Sequence, residues 1–341
     1  MITGLQVRHF RCFEAYTAEF SSGMNFIVGP NARGKTSLLE AACLLLRLQS
    51  PRVGKVVQCI QHGRRGLVVD GYYGGRHLQY YLSRERKKLA LDGVEQKRSR
   101  EYLELARVVY FGNRDIELVR GGGEGRRRFL DFVGGQRNGE ERRVVRDYER
   151  ALRSRNLLLK LAAPRWEEIR AFDVPLLATG VRVGEGRKRL LGELEGFVGE
   201  GYRAISGGAE ELRMEWRSGY GEDFGVALEE ARGEDSRLRQ TTVGPHRDDV
   251  EFFLNGEGVE FASEGQQRTL ALALKLGAAR LLGKEFADAP VLLLDDIFGE
   301  LDVGRRGAFL GALPVEGQKL ITTTTLDWME GGVEGRILRL G

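Results

Sequence analysis

The sequence predicts an α/β domain that is built from both ends of the chain and interrupted by a mainly helical insertion. Three observations lead to this prediction. Strand-like and turn-like segments alternate near the N-terminus, and long charged segments with helical apolar spacing follow. Strand-like sequence then returns in "QTTVGPHRDDVEFFLNG", "PVLLLDDIF" and "QKLITTTT". We place the two parts of the α/β domain at 1–110 and 239–341, and the insertion at 111–238.

The first part of the α/β domain combines short strands with one strong helix. "GMNFIVG" is typical of a strand, and a helix opens at "GKTSLLEAACLLLRLQ". "GLVVDGYY" and "RHLQYYLSRE" alternate apolar and polar residues on either side of Gly74 and Gly75, which predicts a hairpin. In the insertion, "RRFLDFVGGQ" and "RRVVRDYERALRSRNLLLKLA" predict helices. The absence of a sustained heptad run argues against a long coiled coil.

Composition limits the class of protein. The chain has 341 residues, of which 42% are hydrophobic and 30% charged, as in soluble globular proteins. No apolar stretch is long enough to cross a bilayer, and the N-terminus lacks the apolar core of a signal peptide. Cys12, Cys43 and Cys59 have neither metal-ligand nor redox spacing. We therefore expect reduced thiols in a cytoplasmic protein that has no membrane partner.

A phosphate-binding loop lies between the strand and the helix of "FIVGPNARGKTSLLEAA". Its pattern is Gly29-x-x-x-x-Gly34-Lys35-Thr36. The glycines let backbone N–H groups surround a phosphate, the Lys35 ammonium reaches its oxygens, and the Thr36 hydroxyl can coordinate Mg²⁺. The predicted nucleotide-binding residues of this loop are Gly29, Pro30, Asn31, Ala32, Arg33, Gly34, Lys35, Thr36 and Ser37.

The acidic partner of this loop is predicted in "VLLLDDIFGELD". Val291–Leu294 form a buried strand, and Asp295 emerges at its carboxyl end, where it can hold the metal with Thr36. Asp296 follows and can polarise a water for attack on the terminal phosphate. Asp302 comes next, at a spacing that leaves its carboxylate beside the same site. Lys35, Asp295 and Asp296 are the predicted catalytic residues.

The segment "SEGQQRTLALALKL" supports two interpretations. Ser263 can act as an ordinary N-cap of the helix that follows. Alternatively, Ser263, Gly265 and Gln266 form a second anion site, because Gly265 permits close backbone approach and the first turn has free N–H groups. The residues of this segment alone favour the cap, whereas its position before the acidic strand favours the anion site.

Arginines crowd the insertion, although the net charge of the chain is only +4. Arginine pairs with phosphate in a bidentate manner, so nucleic acid is one possible partner. Acids interleave with these arginines, which favours a solvated helical face instead. The arginines that we select as DNA contacts are Arg127, Arg143, Arg146 and Arg150.

The order of these motifs resembles that of ABC-type ATPase heads, and the whole chain resembles the RecF family of bacterial recombination mediators. The resemblance rests on "GPNARGKTSLLEA", "RRRFLDF", "SRNLLLK", "GPHRDDVEF", "SEGQQRTLALALKL" and "LLLDDIFGELD". It implies an ATP-dependent homodimer with Mg²⁺, in which Ser263, Gly265 and Gln266 contact the ATP of the partner subunit. It further implies binding to double-stranded DNA near single-stranded gaps, RecR as direct partner, and help to RecO and RecR in loading RecA. The insertion would be the family's helical arm.

Several residues depart from the pattern of related ATPases. Asp296 stands where a glutamate is often found, and "ITTTTLD" offers threonines in place of a phosphate-sensing histidine. We therefore expect a weak, DNA-stimulated ATPase in which ATP is mainly a switch. Arg11 lies where related heads approach the nucleotide base, and Gln58 and Gln61 are both candidates for the metal-sensing glutamine. His246 is a candidate catalytic base, but a hydrogen-bonded structural histidine explains it at least as well, and the resemblance assigns it no catalytic task.

Other function classes share part of this pattern. The ATP-binding subunit of a membrane transporter would use the same loop and signature, but it has no need of an arginine-rich insertion or of "GPHRDD". A chromosome-structuring head of the SMC type would have a longer insertion. A small-molecule kinase would leave the Ser263 segment without a role.

Overall fold

The computed structural model describes residues 1–161, 163, 165–208, 210–329 and 334–341. The strands in this part of the chain are β1 (Ile2–Phe10), β2 (Phe13–Glu19), β3 (Met24–Val28), β4 (Gly66–Tyr73), β5 (Arg76–Ser83), β6 (Lys87–Leu91), β7 (Val94–Glu95), β8 (Val108–Gly112), β9 (Leu212–Arg217), β10 (Asp249–Leu254), β11 (Glu257–Gly258), β12 (Val291–Asp295), β13 (Lys319–Thr323) and β14 (Arg336–Arg339). The α-helices are α1 (Lys35–Arg47), α2 (Arg100–Glu104), α3 (Glu117–Arg120), α4 (Gly123–Arg137), α5 (Gly139–Leu159), α6 (Trp166–Ser206), α7 (Phe224–Glu230), α8 (Arg232–Leu238), α9 (Glu264–Glu285) and α10 (Val303–Ala312).

The chain divides into two compact units. The first unit contains Met1–Asn113 and Ala278–Gly341, and the second contains Arg114–Gly277. The contacts thus group residues 239–277 with the helical unit, although we predicted them as part of the ATPase domain. A compact unit is defined by contacts and a domain by its function, so the predicted domain division stays a prediction.

The first unit contains a parallel and an antiparallel sheet. The parallel sheet has the order β14-β3-β13-β12-β8, and the antiparallel sheet has the order β2-β1-β4-β5-β6-β7. Strand β3 pairs with β13 and β14, so that Ile27 lies beside both Thr322 and Leu338. Strands from the two ends of the chain therefore share one sheet, and the predicted α/β domain is confirmed.

Helix α1 forms the centre of the first unit. Every residue of this helix except Thr36 is buried, because "SLLEAACLLLR" is mostly apolar or small. The buried charges of Glu40 and Arg47 are hydrogen-bonded to Arg11 and to the Leu103 carbonyl. The core around it joins Leu5 and Val69 of the antiparallel sheet to Leu293 and Leu320 of the parallel sheet. Helix α1 is therefore packed between the two sheets. This packing holds its N-terminus at the carboxyl ends of the parallel strands.

The second unit is mainly helical, and the predicted helical insertion is confirmed. Helix α6 has 41 residues, which corresponds to a length of about 60 Å. It packs on α5 through a core that includes Tyr148, Leu176, Val183 and Phe224. A three-stranded antiparallel sheet of order β11-β10-β9 completes the unit. No helix in the described ranges is both long enough and apolar enough to span a membrane.

Two of the quoted motifs tie the helices of the second unit together. Arg155 of "SRNLLLK" is fully buried and donates to Asp173 at 2.8 Å and to Asp235 at 2.6 Å. Arg187 of α6 donates to the carbonyl of Pro245 at 2.6 Å and to Asp248 at 3.2 Å, both in "GPHRDD". Buried ion pairs of this kind hold only when both charges are hydrogen-bonded. These motifs therefore have a structural role that the sequence did not disclose.

Candidate nucleotide-binding site

The loop between β3 and α1 depends on its two glycines. A Cβ atom at Gly29 would lie 2.3 Å from the carbonyl oxygen of Leu340, so only glycine fits there. Gly34 has a φ of +91°, and a Cβ at this position would lie 2.5 Å from the ring of Phe13 and 2.8 Å from the Cys12 sulfur. The left-handed backbone and the close contacts both require glycine. The sequence pattern of the loop thus has a steric basis.

The first turn of α1 is an anion-binding end of a helix. Gly34 is the N-cap and provides no side-chain cap, and the first turn contains no acid. The backbone N–H groups and the positive end of the helix dipole are therefore not neutralised by the protein's own carboxylates. The Lys35 ammonium donates to the carbonyls of Gly29 at 2.8 Å and Pro30 at 2.9 Å. These two hydrogen bonds hold the Lys35 ammonium next to the phosphate-binding loop.

Asp295 is held at the end of β12 by three hydroxyl groups. Thr36 donates to its Oδ1 at 2.8 Å, and Thr322 of β13 donates to the same oxygen at 2.9 Å. Tyr110 of β8 donates to its Oδ2 at 2.6 Å. Both oxygens of the carboxylate are therefore oriented before any ligand binds.

The Thr36 hydroxyl and the Asp295 carboxylate fit Mg²⁺. Two neighbouring ligands of an octahedral Mg²⁺ ion lie about 2.9 Å apart, since each lies about 2.0–2.1 Å from the metal. The two side-chain oxygens are 2.8 Å apart. Within the described residues, no group of three or more histidines, cysteines and acids could hold a metal ion. A metal with few protein ligands, completed by phosphate and water, suits this site.

Asp296 lies next to this pair. Its φ is +53°, a left-handed conformation that aspartate tolerates better than most residues, and its N–H donates to the Thr322 hydroxyl at 2.9 Å. Partial burial raises the pKa of Asp296; the charge of Lys35 opposes this shift and the charge of Asp295 adds to it. A raised pKa improves a general base. The predicted catalytic role of Asp296 stays a prediction.

Sequence reasoning missed Tyr110 and Thr322. Tyr110 lies on the strand beside β12, where Leu293 pairs with Tyr110 and Asp295 with Gly112. Thr322 is the direct partner of Asp295 on the other side. The sequence does contain a signal for these two residues, because each carries a hydroxyl group near the carboxyl end of a predicted strand. The strand order, which the sequence does not supply, is needed to use that signal.

Arg11 makes a strong pair inside the first unit. Its guanidinium donates to both carboxylate oxygens of Glu40, at 2.8 and 2.6 Å, and to the carbonyl of Gln58 at 3.0 Å. Because the hydrogen bond to Glu40 stabilises the charged form, the pKa of Arg11 is raised. Glu40 is a fully buried residue of α1, so this pair fastens the end of β1 to the helix. The predicted contact of Arg11 with a nucleotide base stays a prediction.

The two glutamine candidates differ in their surroundings. Gln61 donates to the carbonyl of Cys12 at 3.4 Å, whereas the side chain of Gln58 is exposed. Both remain alternatives for the metal-sensing glutamine.

The Ser263 segment lies in the second unit and forms a capping box. The N–H of Ser263 donates to Oε1 of Gln266 at 2.7 Å, and the N–H of Gln266 donates to the Ser263 hydroxyl at 3.3 Å. The amide of Gln266 also donates to Glu210. The cap interpretation describes this segment correctly. Ser263 is exposed, so a further role toward a nucleotide stays a prediction.

Asp302 is also an N-cap. Its carboxylate accepts a hydrogen bond of 2.9 Å from the N–H of Arg305 at the start of α10. The predicted contact of Asp302 with a nucleotide is not part of this arrangement and stays a prediction.

The four arginines selected as DNA contacts have different environments. Arg127 is half-buried and donates to the carbonyl of Asp248, whereas Arg143, Arg146 and Arg150 are exposed on α5. Arg143 lies 3.6 Å from Glu140 and 3.5 Å from Asp147, and Arg150 lies 3.8 Å from Asp147. These residues stay predicted DNA contacts.

Comparisons with known proteins identify close relatives. A family model described as "AAA domain" matches residues 5–64. The chain is 34% identical over 353 residues to "DNA replication and repair protein RecF" of Synechococcus sp. (strain JA-2-3B'a(2-13)), an alignment that covers 97% of this chain and 93% of the relative.

Solved structures agree with this result. The structure of "the recombination mediator protein RecF-ATP in RecFOR pathway" matches with a TM-score of 0.88 and 28% identity, and the match covers 99% of this chain and 95% of that chain. The "SmcHead bound to the C-winged helix domain of ScpA" matches with a TM-score of 0.54 and 16% identity, over 96% of this chain and 90% of that chain. The second match concerns the fold alone and agrees with an ABC-type ATPase head.

Proposed function

The chain belongs to the RecF family of DNA replication and repair proteins, and we propose that it is an ATP-switched dimer that binds double-stranded DNA near single-stranded gaps. The fold is that of an ABC-type ATPase head with an inserted helical arm. In the proposed cycle, ATP with Mg²⁺ closes the dimer, the dimer holds DNA, and slow hydrolysis releases it.

The observation that carries the ATP-binding proposal is the contact between Thr36 and Asp295. These two side chains provide neighbouring oxygen ligands for Mg²⁺ at the open N-terminus of α1. Lys35 supplies the charge for the β- and γ-phosphates. A similar protein is described as RecF-ATP, which supports ATP as the nucleotide.

Slow hydrolysis is supported by the acids of the site. Asp296 has a shorter side chain than the glutamate of many related ATPases, and its backbone is fixed in the left-handed region. The Thr322 hydroxyl already contacts both Asp295 and the Asp296 N–H. We therefore propose a weak ATPase that DNA stimulates, with ATP acting mainly as a switch.

Dimerisation around ATP is supported by the exposed start of α9. Ser263 is exposed and caps the first turn of this helix, and the N-terminus of a helix favours phosphate. We propose that Ser263, Gly265 and Gln266 contact the ATP bound by the partner subunit. Because each copy supplies its loop to one site and its Ser263 segment to the other, the dimer would contain two such sites.

The proposed role in DNA repair is based on membership of the RecF family. We propose that the ATP-bound dimer binds RecR directly and, with RecO, helps RecA to load at gaps. Such a role on the chromosome would place the protein in the cytoplasm. The transporter alternative would require a membrane-protein partner in place of DNA.

The molar mass in solution tests the proposal. Light scattering of the native chain should give a monomer without nucleotide and a dimer with ATP and Mg²⁺. Ser263→Arg should stay monomeric while it still binds a fluorescent ATP analogue with unchanged affinity, since its own phosphate loop is intact. A native chain whose mass never responds to ATP would overturn the dimer.

Addition of duplex DNA to the same samples tests the second half of the proposal. Only the ATP-bound native dimer should bind it. An ATP-dependent dimer that ignores duplex DNA would support a transporter subunit instead.

A further inference from the structure

One end of the antiparallel sheet in the first unit collects exposed cations from β1 and from the segments that adjoin β4, β5, β6 and β7. The strand register places these segments at the same end of the sheet. Arg8 of β1 pairs with Val68 of β4, Gly66 of β4 pairs with Ser83 of β5, and Leu82 of β5 pairs with Lys87 of β6. The N–H of Gln96 then bonds to the carbonyl of Leu89, which continues the same edge beyond β7. We call this region the basic sheet end, and we assign six of its exposed cations to the surface: Arg8, Arg65, Arg84, Arg86, Lys97 and Arg98.

These six cations are not neutralised by neighbouring acids. In the described part of the chain, none of the six has an ion pair, whereas the nearby Arg64 pairs with Glu14 at 2.9 Å and Lys88 with Glu95 at 3.7 Å. Glu85 is the acid within the turn between β5 and β6. The local balance is strongly positive, although the chain as a whole carries only +4. An exposed, unpaired arginine is free to meet an external phosphate.

Three of the four predicted arm contacts offer a contrast. Arg143 and Arg150 lie beside acids of their own helix, and Arg127 is engaged with the Asp248 carbonyl. A phosphate that binds these residues must first displace a protein oxygen. Within the described ranges, the six cations of the basic sheet end have no ion-pair partner that a phosphate must displace.

The dimensions of the surface match a duplex. Five neighbouring strands span about 20 Å, since adjacent strands lie about 4.8 Å apart. One helical turn of B-DNA measures about 34–36 Å, so the surface covers roughly half a turn of the phosphate backbone. Single-stranded DNA is bound mainly by stacking on exposed aromatic rings, and the aromatic residues Phe13 and Tyr81 at this end are only partly exposed.

The basic sheet end also adjoins the nucleotide loop. The turn between β1 and β2 lies at this end of the sheet, and its residues Cys12 and Phe13 contact Gly34. A change in the loop on nucleotide binding therefore reaches the sheet end through direct contact. DNA bound at the basic sheet end can therefore influence the nucleotide-binding loop through these contacts.

We propose that the basic sheet end is a phosphate-binding surface for double-stranded DNA on the ATPase head. The inference rests on the proposed DNA-binding function and adds a location within the first unit. We expect this surface to bind DNA without sequence specificity. Its arginine and lysine side chains contact the phosphate backbone of the DNA, and no helix of this surface enters a groove to contact the bases.

The test compares two triple variants with equal changes of charge. Arg65→Gln, Arg84→Gln and Arg86→Gln together alter the basic sheet end. Arg213→Gln, Arg217→Gln and Arg237→Gln together alter exposed arginines of the second unit, which pair with Glu215, Glu251 and Glu234. Anisotropy of a short fluorescein-labelled duplex, with ATP and Mg²⁺, gives the affinity at several salt concentrations.

The first triple variant should lower the salt slope by about 2.7, because each lost phosphate contact removes about 0.9. Between about 50 and 200 mM salt, the native affinity should then fall about 40-fold more than that of the variant. The control triple variant should keep the native slope. Light scattering should show the same ATP-dependent dimer for all three proteins.

Three results would overturn the inference. An unchanged slope in the sheet-end variant would remove these residues from the interface, and an equal loss in both variants would show an effect of net charge alone. Binding of the native chain to phosphatidylglycerol vesicles as tightly as to duplex DNA would show a cationic surface that does not discriminate between anions. If the native chain itself fails to bind duplex DNA with ATP, the proposed function fails as well, which distinguishes that outcome from the others.

Discussion

The hydroxyl of Thr36 donates a hydrogen bond of 2.8 Å to the carboxylate of Asp295, although 259 positions separate the two residues in the chain. One lies at the start of α1 and the other at the end of β12. Two additional hydroxyl groups, from Tyr110 and Thr322, fix the same carboxylate. The oxygen pair that suits Mg²⁺ is therefore assembled by the fold before the ion arrives.

Tyr110→Phe should weaken the Mg²⁺ dependence of nucleotide binding without unfolding the protein. The change removes the donor to Asp295 Oδ2 and leaves the ring in place, so the carboxylate loses one of its orienting contacts. Loss of such an outer contact typically costs 10–100-fold in metal affinity, and we expect about tenfold. Titration of Mg²⁺ against a fluorescent ATP analogue measures this directly. Tyr81→Phe, on β5 away from the metal pair, should behave as the native chain, and a normal titration of Tyr110→Phe would rule out the positioning role.

Two substitutions of Ser263 should separate its cap from its predicted nucleotide contact. Ser263→Ala removes the hydroxyl that accepts from the Gln266 N–H and should cost about 1 kcal/mol of unfolding free energy. Ser263→Asp keeps a good N-cap and should be as stable as the native chain. Its negative charge would meet the phosphates of the partner's ATP, so the ATP-dependent dimer should be lost.

Urea denaturation and light scattering on both Ser263 variants provide the comparison. A stable Ser263→Asp chain that still dimerises with ATP would reduce this serine to a helix cap.

Arg155→Met should destabilise the protein by about 3–5 kcal/mol, because it leaves the buried carboxylates of Asp173 and Asp235 without their partner. Arg153→Met on the same helix is the matched control. Arg153 is 68% exposed and, among the described residues, its ion-pair partner is Glu149, so its replacement should cost less than about 1 kcal/mol. Equal midpoints in denaturant for the two variants would contradict the structural role of Arg155.

His246 should make the protein less stable as pH falls. Burial lowers the pKa of His246 to about 4, while its ring bonds to the Tyr148 hydroxyl at 2.7 Å and the Thr241 carbonyl at 3.0 Å. The unfolded chain, with an ordinary histidine pKa of about 6.5, binds the proton more tightly. The stabilisation is therefore complete above pH 6.5 and is lost as pH falls toward 4, by at most about 3 kcal/mol.

His246→Gln isolates this effect, since the amide can keep both hydrogen bonds but does not titrate. The difference between native and variant is the useful quantity. Burial raises the pKa of Asp248 to about 6 despite its contact with Arg187, and this contributes a pH dependence of opposite sign in both proteins. Denaturation at pH 7 and pH 4.5 should show a smaller loss in the variant. Parallel losses would mean that His246 titrates normally.

The sequence predicts the outline of this protein well because local chemistry determines it. The phosphate loop needs Gly34 for a left-handed backbone, and the acidic strand needs four apolar residues before Asp295. Such patterns lie within a few residues of one another. The α/β class and the helical insertion follow from the same local periodicities.

Contacts between distant segments were beyond prediction. Tyr110 and Thr322 matter only because β8 and β13 flank β12, and nothing in their own neighbourhoods indicates this order. The basic sheet end is similar, since Arg8, Arg65 and Arg84 meet only through strand register. The arginines of the insertion, by contrast, are close together in the sequence, so the sequence alone predicts a basic cluster there.

The parallel sheet has a consequence for how the chain is made. Strand β3 is complete by residue 28, but its partner β13 begins about 290 residues later. At a synthesis rate of roughly 5–20 residues per second, β3 waits about 15–60 seconds for that partner. During this interval the apolar sides of α1 that will face the parallel sheet remain uncovered on the ribosome. The helical unit is synthesised within the same interval, so the nascent chain keeps this apolar surface exposed until its last strands emerge, a state in which incomplete chains are prone to aggregate.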